Sequence, residues 1–301
     1  MSSHAFGNTP EDQAIFGNSK FVIANVPFDG YNSYRDGSHV SPRVISATAK
    51  SIGDYDIDCE LSPYDKGVHV KDVSEIFEDS GMSMRDDPKD IILEQRDSIS
   101  EIMKLDKFVI TLGGNRCASL GSINAACESF KNVTVIKFGG TYALNDETDD
   151  GHRFATSCIN SRILESADKF ILVGPRSAFK FDGERAKELF NDDDILTPSK
   201  LNEMKSEDLL EKWGQLNQNV YISFEFDVFD PSLLYEVELP EPGGLFWRET
   251  INHLTNIISN CNVVGADFVG YFPSPHYAGS EILVTRLIHK FMSLIAFHQM
   301  K

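Results

Sequence analysis

Short apolar runs recur along the chain at residues 21–28, 107–114, 133–140, 169–175, 220–227 and 262–271. Each is rich in Val, Ile and Phe, and most are bounded by Gly, Pro or Asp. Runs that are apolar throughout, rather than at every second position, suit strands of a parallel sheet covered on both faces. Between them, apolar residues spaced three and four apart predict helices at 42–52, 88–105, 117–130, 203–216, 248–259 and 281–297. Strand-then-helix alternation predicts one α/β domain over residues 1–301, a three-layer α/β/α sandwich with a mainly parallel sheet. Residues 1–20 are read as an extended N-terminal segment. The acidic stretches 75–90 and 145–151 are read as solvated loops.

In such sheets ligands gather where strands end, so the residues just after each run carry the candidate chemistry. Gly113-Gly114-Asn115-Arg116-Cys117 follows the second run. Lys137-Phe138-Gly139-Gly140-Thr141-Tyr142-Ala143 closes the third. Ser223-Phe224-Glu225-Phe226-Asp227-Val228-Phe229-Asp230-Pro231 spans the fifth, and Gly270-Tyr271-Phe272-Pro273 follows the sixth.

These segments resemble those of the arginase/agmatinase (ureohydrolase) family. LGGNRCASLG (112–121) is similar to LGGDHSITLG, KFGGTYALNDE (137–147) to HFDAHTDLYDE, and SFEFDVFDP (223–231) to SxDxDxxDP. PEPGGL (240–245) and VVGADFVGYFPSPHYAG (263–279) also have counterparts, as does the opening segment 26–43. Their order is the family's, and PEPGGL and the opening segment favour the agmatinase branch. The resemblance implies an arginase-like fold. For active members it implies hydrolysis of a guanidinium C–N bond by a hydroxide bridging two Mn²⁺ ions, since a metal makes hydroxide available near neutral pH.

Carried over position by position, the six metal ligands of the family become Arg116, Gly139, Thr141, Ala143, Glu225 and Asp227. Only the last two are good ligands, so no binuclear manganese centre and no resident cofactor are expected, at most one weak ion at Glu225 and Asp227. The glutamate that grips the guanidinium is Gly270 here, and the aspartate of the PPYDHAG segment is His276. Arg116 is expected to stand in the vacated space and to pair with both carboxylates, because a buried carboxylate without a cation is costly and planar Arg serves it well. Lys137 lies next to the same motif.

His152 falls where the family has its proton-shuttling histidine, which makes it the candidate for residual acid/base work; the plainer reading is a solvated loop histidine. Cys117 is a candidate nucleophile if Arg116 and His152 lower its pKa; the plainer reading is an inert packed thiol. Asn115, Cys117 and His276 join Arg116, Glu225 and Asp227 as candidate binding residues. The rings of Tyr142, Phe226, Phe229, Tyr271 and Phe272 are expected to fill the old pocket.

The net charge of −18 makes nucleic acid and anionic lipid poor partners. No run of apolar residues reaches the length of a membrane span, and the first twenty residues do not read as a signal peptide. Cys59, Cys117, Cys127, Cys158 and Cys261 are odd in number, scattered and without a CxxC pair, which fits free thiols in a reducing, cytoplasmic setting. The expected function is that of an inactive ureohydrolase-like protein with a binding, regulatory or accessory role. The alternative is a diverged hydrolase of a guanidino- or amidine-like compound that uses His152 with one metal ion or none. By resemblance, a homo-oligomer (trimer or hexamer) is expected, with an active ureohydrolase relative as a further partner.

Overall fold

The computed structural model describes residues 5–31, 34–72, 88–214, 216, 219–274 and 278–300. Its eight strands are β1 (Phe21–Val26), β2 (Val68–Asp72), β3 (Phe108–Gly113), β4 (Val133–Phe138), β5 (Lys169–Val173), β6 (Ile195–Leu196), β7 (Asn219–Glu225) and β8 (Asn262–Val269). They form one sheet in the order β2-β1-β3-β8-β7-β4-β5-β6, and every pairing is parallel. The helices are α1 (Ser41–Thr48), α2 (Pro88–Met103), α3 (Leu120–Ser129), α4 (Ile159–Ser166), α5 (Lys180–Leu189), α6 (Pro198–Glu203), α7 (Ser206–Gly214), α8 (Trp247–Asn260) and α9 (Ala278–Gln299).

Successive strand residues point to opposite faces, and both faces are covered. Ile110, Leu112, Ile136, Phe138, Ile222 and Phe224 pack on one side with residues of α1, α8 and α9. Val22, Val109, Val135, Leu172 and Tyr221 pack on the other with residues of α2, α3 and α4. This produces the three layers, and it explains why the central strands read as unbroken apolar runs.

All six apolar runs are strands. The two strands that periodicity missed are the edges of the sheet. In β2 the sequence VHVKD alternates and is half exposed, and β6 has only two residues. The helix expected over 203–216 is divided into α6 and α7, with Met204 extended at the C-cap of α6. Residues 5–20 are not extended. Consecutive turns close through Gln13 N–H to Pro10 O and Asn18 N–H to Ile15 O, because Phe6 is buried against Tyr64 and draws the segment back onto the core. Residues 145–151 form a loop as expected, although its Asp146 pairs with Arg162. Most of the 75–90 acidic stretch lies outside the described residues.

Candidate functional site

The four central strands β3, β8, β7 and β4 deliver the site at their carboxyl ends. β3 leads through Gly113 and Gly114 into a 3-10 turn, Arg116–Ser119, that precedes α3. Gly114 is there for closeness: a Cβ at that position would come within 2.0 Å of the Phe28 carbonyl oxygen. Asn115 fixes the turn, accepting from Cys117 N–H at 3.0 Å and donating to Gly30 O at 2.7 Å. The Arg116 side chain therefore leaves a pinned backbone and crosses towards β7.

Its Nε lies 2.6 Å from Glu225 Oε1 and its Nη2 3.3 Å from Asp227 Oδ2. Glu238 Oε2 is 3.7 Å from the same Nη2, and Nη1 donates to the Thr141 hydroxyl. Lys137, the penultimate residue of β4, reaches the other carboxylate oxygen of Glu225 at 3.2 Å and donates to Asn160 Oδ1 at 2.9 Å. Arg116 is 5% exposed, and Lys137, Glu225 and Asp227 are buried as deeply. Gly140 N–H donates to Asp227 Oδ1 at 2.8 Å. The cluster is thus a buried ladder of two cations on two carboxylates, with Glu238 at its outer side.

Burial opposes the guanidinium charge, but Glu225, Asp227 and Glu238 more than offset it and hold Arg116 above its ordinary value. Burial likewise opposes ionisation of Glu225, yet Arg116 and Lys137 hold it below the usual carboxylate range. Asp227 goes the other way: burial, and then the charge of Glu225, push it up to about 7. Two carboxylates that share one cationic wall titrate as a pair, the first proton leaving readily and the second late.

The structure brings Arg116, Thr141, Glu225 and Asp227 together, and Lys137 joins them. For His152 and Cys117 the plainer readings hold, and the expected filling of the pocket does not. His152 is exposed, with its ring 4.5 Å from that of Tyr31, and it lines a separate cavity with Arg153 and Phe154. The loop that carries it is held by Thr148, not by the Arg116 cluster. Cys117 is not activated: burial pushes its thiol up to about 12, and its Sγ donates to Phe154 O. The aromatic rings do not close the pocket. Phe226, Phe229 and Tyr271 lie in the core, Phe272 is buried under Arg35, and half-buried Tyr142 packs by Leu144 and Ala186. His276 lies outside the described residues.

An open cavity of about 430 Å³ remains beside Arg116. Thr141, Ser157 and Ser177 supply hydroxyls, Glu238 and Glu241 carboxylates, and Phe179, 82% exposed, stands at its rim. Sequence reasoning missed three residues here. Arg176, just past β5, donates through Nη2 to Asp227 O, Phe229 O and Glu241 O at 2.9, 3.1 and 2.7 Å, and so ties the PEPGGL loop to the end of β7. Ser177 Oγ donates to Glu241 at 3.1 Å. Asp182 accepts from the backbone of Leu144 and Phe179. Arg176 follows an apolar run as the other site residues do, so the strand-end rule that found them applies to it as well.

A family profile described as the Arginase family matches residues 19–293. The chain belongs to this family. Among relatives of known name it is similar to the N(1)-aminopropylagmatine ureohydrolase of Thermococcus kodakarensis, 26% identical over 83% of this chain and 82% of that one. It is also similar to the agmatinase of Bacillus cereus, 28% identical over 86% and 85%. The agmatinase-like branch is therefore the right one. Proclavaminate amidino hydrolase from Streptomyces clavuligerus shares the fold with a TM-score of 0.83 at 20% identity, covering 99% of both chains. The formiminoglutamase of Trypanosoma cruzi, solved with Mn²⁺, shares it with a TM-score of 0.78 at 15% identity, covering 92% and 94%.

A binuclear manganese centre does not fit the residues present in this arginase-family chain. The two good ligands are already engaged by Arg116 and Lys137, and Gly139, Thr141 and Ala143 bring no carboxylate or imidazole. Among the described residues no three His, Cys, Asp or Glu side chains form a group that could hold a metal ion. Nor is any helix among them long and apolar enough to cross a membrane.

Proposed function

We propose that this arginase-family chain works without the binuclear manganese centre, is inactive towards arginine and agmatine, and acts as a binding protein of its family. One observation carries the reading: the Arg116 guanidinium sits on both Glu225 and Asp227, with Lys137 behind Glu225. A dication entering there would have to displace a paired cation from a buried site, leaving a guanidinium without its counterions. The anchor for a substrate guanidinium is missing too, because position 270 is glycine.

The cavity is retained, which supports a role in holding a small polar molecule. A second reading rests on that same opening: a diverged hydrolase of a guanidino- or amidine-like C–N bond. His152 lines a different cavity and Asp227 is buried outside the lining of this one, so in that reading Glu238, which lines the opening beside Arg116, is the better-placed acid or base. We also propose assembly with copies of itself, or with an active relative, as the setting in which a binding role operates.

Urea release separates these readings. Protein produced and assayed with added manganese is expected to yield no urea above background from arginine, agmatine or guanidinobutyrate. Turnover of any of the three that is lost in Glu238→Gln would favour the diverged hydrolase. Robust turnover that depends on manganese would overturn the proposal.

A further inference from the structure

The opposite end of the sheet, where strands begin, holds a further cavity of about 580 Å³. Lys20 precedes β1, Lys107 precedes β3, and Lys66 sits in the turn before β2; all three line this cavity. Its apolar lining includes Met103, Phe108 and Val263, all buried. Asp106 is the one carboxylate residue among the described residues that line it. In a chain whose net charge is −18, a local excess of two positive charges over an apolar floor runs against the surrounding field.

The three ammonium groups are not equivalent. Lys66 Nζ donates to Met300 O at 2.8 Å, and Lys107 Nζ to Ser19 O at 2.6 Å. Neither meets a carboxylate among the described residues. Lys20 is exposed, and its ammonium makes no hydrogen bond or ion pair among the described residues. Burial and then the neighbouring charge of Lys20 hold Lys107 below its ordinary value, with Asp106 pulling weakly the other way. Lys20 and Lys107 thus add like charge at one opening, which Asp106 offsets only in part, an arrangement that an anionic ligand would relieve.

We propose that this cavity binds a small amphipathic anion, with its acid group between Lys20 and Lys107 and its apolar body against Phe108 and Val263. A purely inorganic anion would leave the floor unused, and a neutral hydrocarbon would leave the lysines unanswered. Carboxylates and phosphate monoesters share the required chemistry. The site is independent of the Arg116 cluster, which lies at the other end of the strands.

The probe is 8-anilinonaphthalene-1-sulfonate, an aromatic body bearing one sulfonate, titrated by fluorescence into the full-length protein. Decanoate, decyl phosphate and inorganic phosphate serve as competitors. One saturable site is expected, displaced by decanoate, decyl phosphate or both, with whichever displaces better naming the acid group. Lys20→Glu, at an exposed position whose ammonium has no partner among the described residues, is expected to weaken binding by about fivefold or more, the effect of one reversed charge near a half-exposed site. Asp106→Asn is expected to tighten it, and asparagine accepts the positive φ of 57° found there. Lys180→Glu, on the exposed face of α5, should change nothing. The proposal fails if no saturable site is found, if Lys20→Glu binds as the unaltered protein does, or if inorganic phosphate displaces the probe as well as decanoate.

Discussion

Removing the Arg116 guanidinium would leave two buried carboxylates to the single cation of Lys137. Arg116→Met is expected to destabilise the fold by about 3–5 kcal/mol, the usual consequence of breaking a buried pair from one side. Arg116→Met/Glu225→Gln should recover part of that loss, because the uncompensated charge then disappears. Denaturant unfolding of the two variants checks both; equal losses would mean that Arg116 matters for packing rather than charge. Asp267 on β8 offers a pH test. Burial pushes it up to about 7, against a hydrogen bond from Ser223 and the charge of Lys137. Its folded-state pKa lies above the unfolded value, so the stability it contributes is full below about 4 and is lost as pH rises through about 7. Asp267→Asn does not titrate. Its melting temperature relative to the unaltered protein should therefore climb between about pH 4 and pH 7.5 and level off outside that window. The Arg116 pairing was legible in the sequence because one guanidinium in place of a histidine beside two surviving acids leaves little choice. Glu238 and Glu241 were not, because their roles depend on where two loops cross; the strand-end rule points at Arg176, but not at the backbone oxygens it holds.

The strand ends and the loops after them set what can be rebuilt at the site. Gly270 has φ +81°, and a Cβ there would lie 3.2 Å from Glu225 Cγ. Any side chain is therefore strained both by its backbone and by its neighbour, so Gly270→Ala is expected to cost about 1–3 kcal/mol in unfolding measurements. Restoring a glutamate at this position thus requires the loop after β8 to move, which the sequence alone did not reveal. Arg176 makes the complementary point for the loop after β7. Arg176→Ala should leave the carbonyls of Asp227, Phe229 and Glu241 without their shared donor and speed amide exchange around residues 240–245. Unchanged exchange there would contradict the tying role. The six central strands could be read from their unbroken apolar runs, since burial on both faces removes alternation. The edge strands could not, because β2 alternates and β6 is two residues long.

Across the whole molecule the family fold is intact around an altered centre. The parallel sheet is the family's; at its strand ends an open cavity stands beside two buried carboxylates that Arg116 and Lys137 pair. The resemblance stated from motifs was enough to place the fold, because the motifs sit at the ends of its central strands. It did not reveal the open cavity: of the rings expected to fill it, three turn into the core and the other two pack elsewhere. The most direct test is elemental analysis of manganese per chain, after loading the purified full-length protein with excess Mn²⁺ and removing free ion. The account predicts only traces, with Arg116 still holding Glu225 and Asp227. One or two manganese ions per chain, retained through removal of free metal, would contradict it.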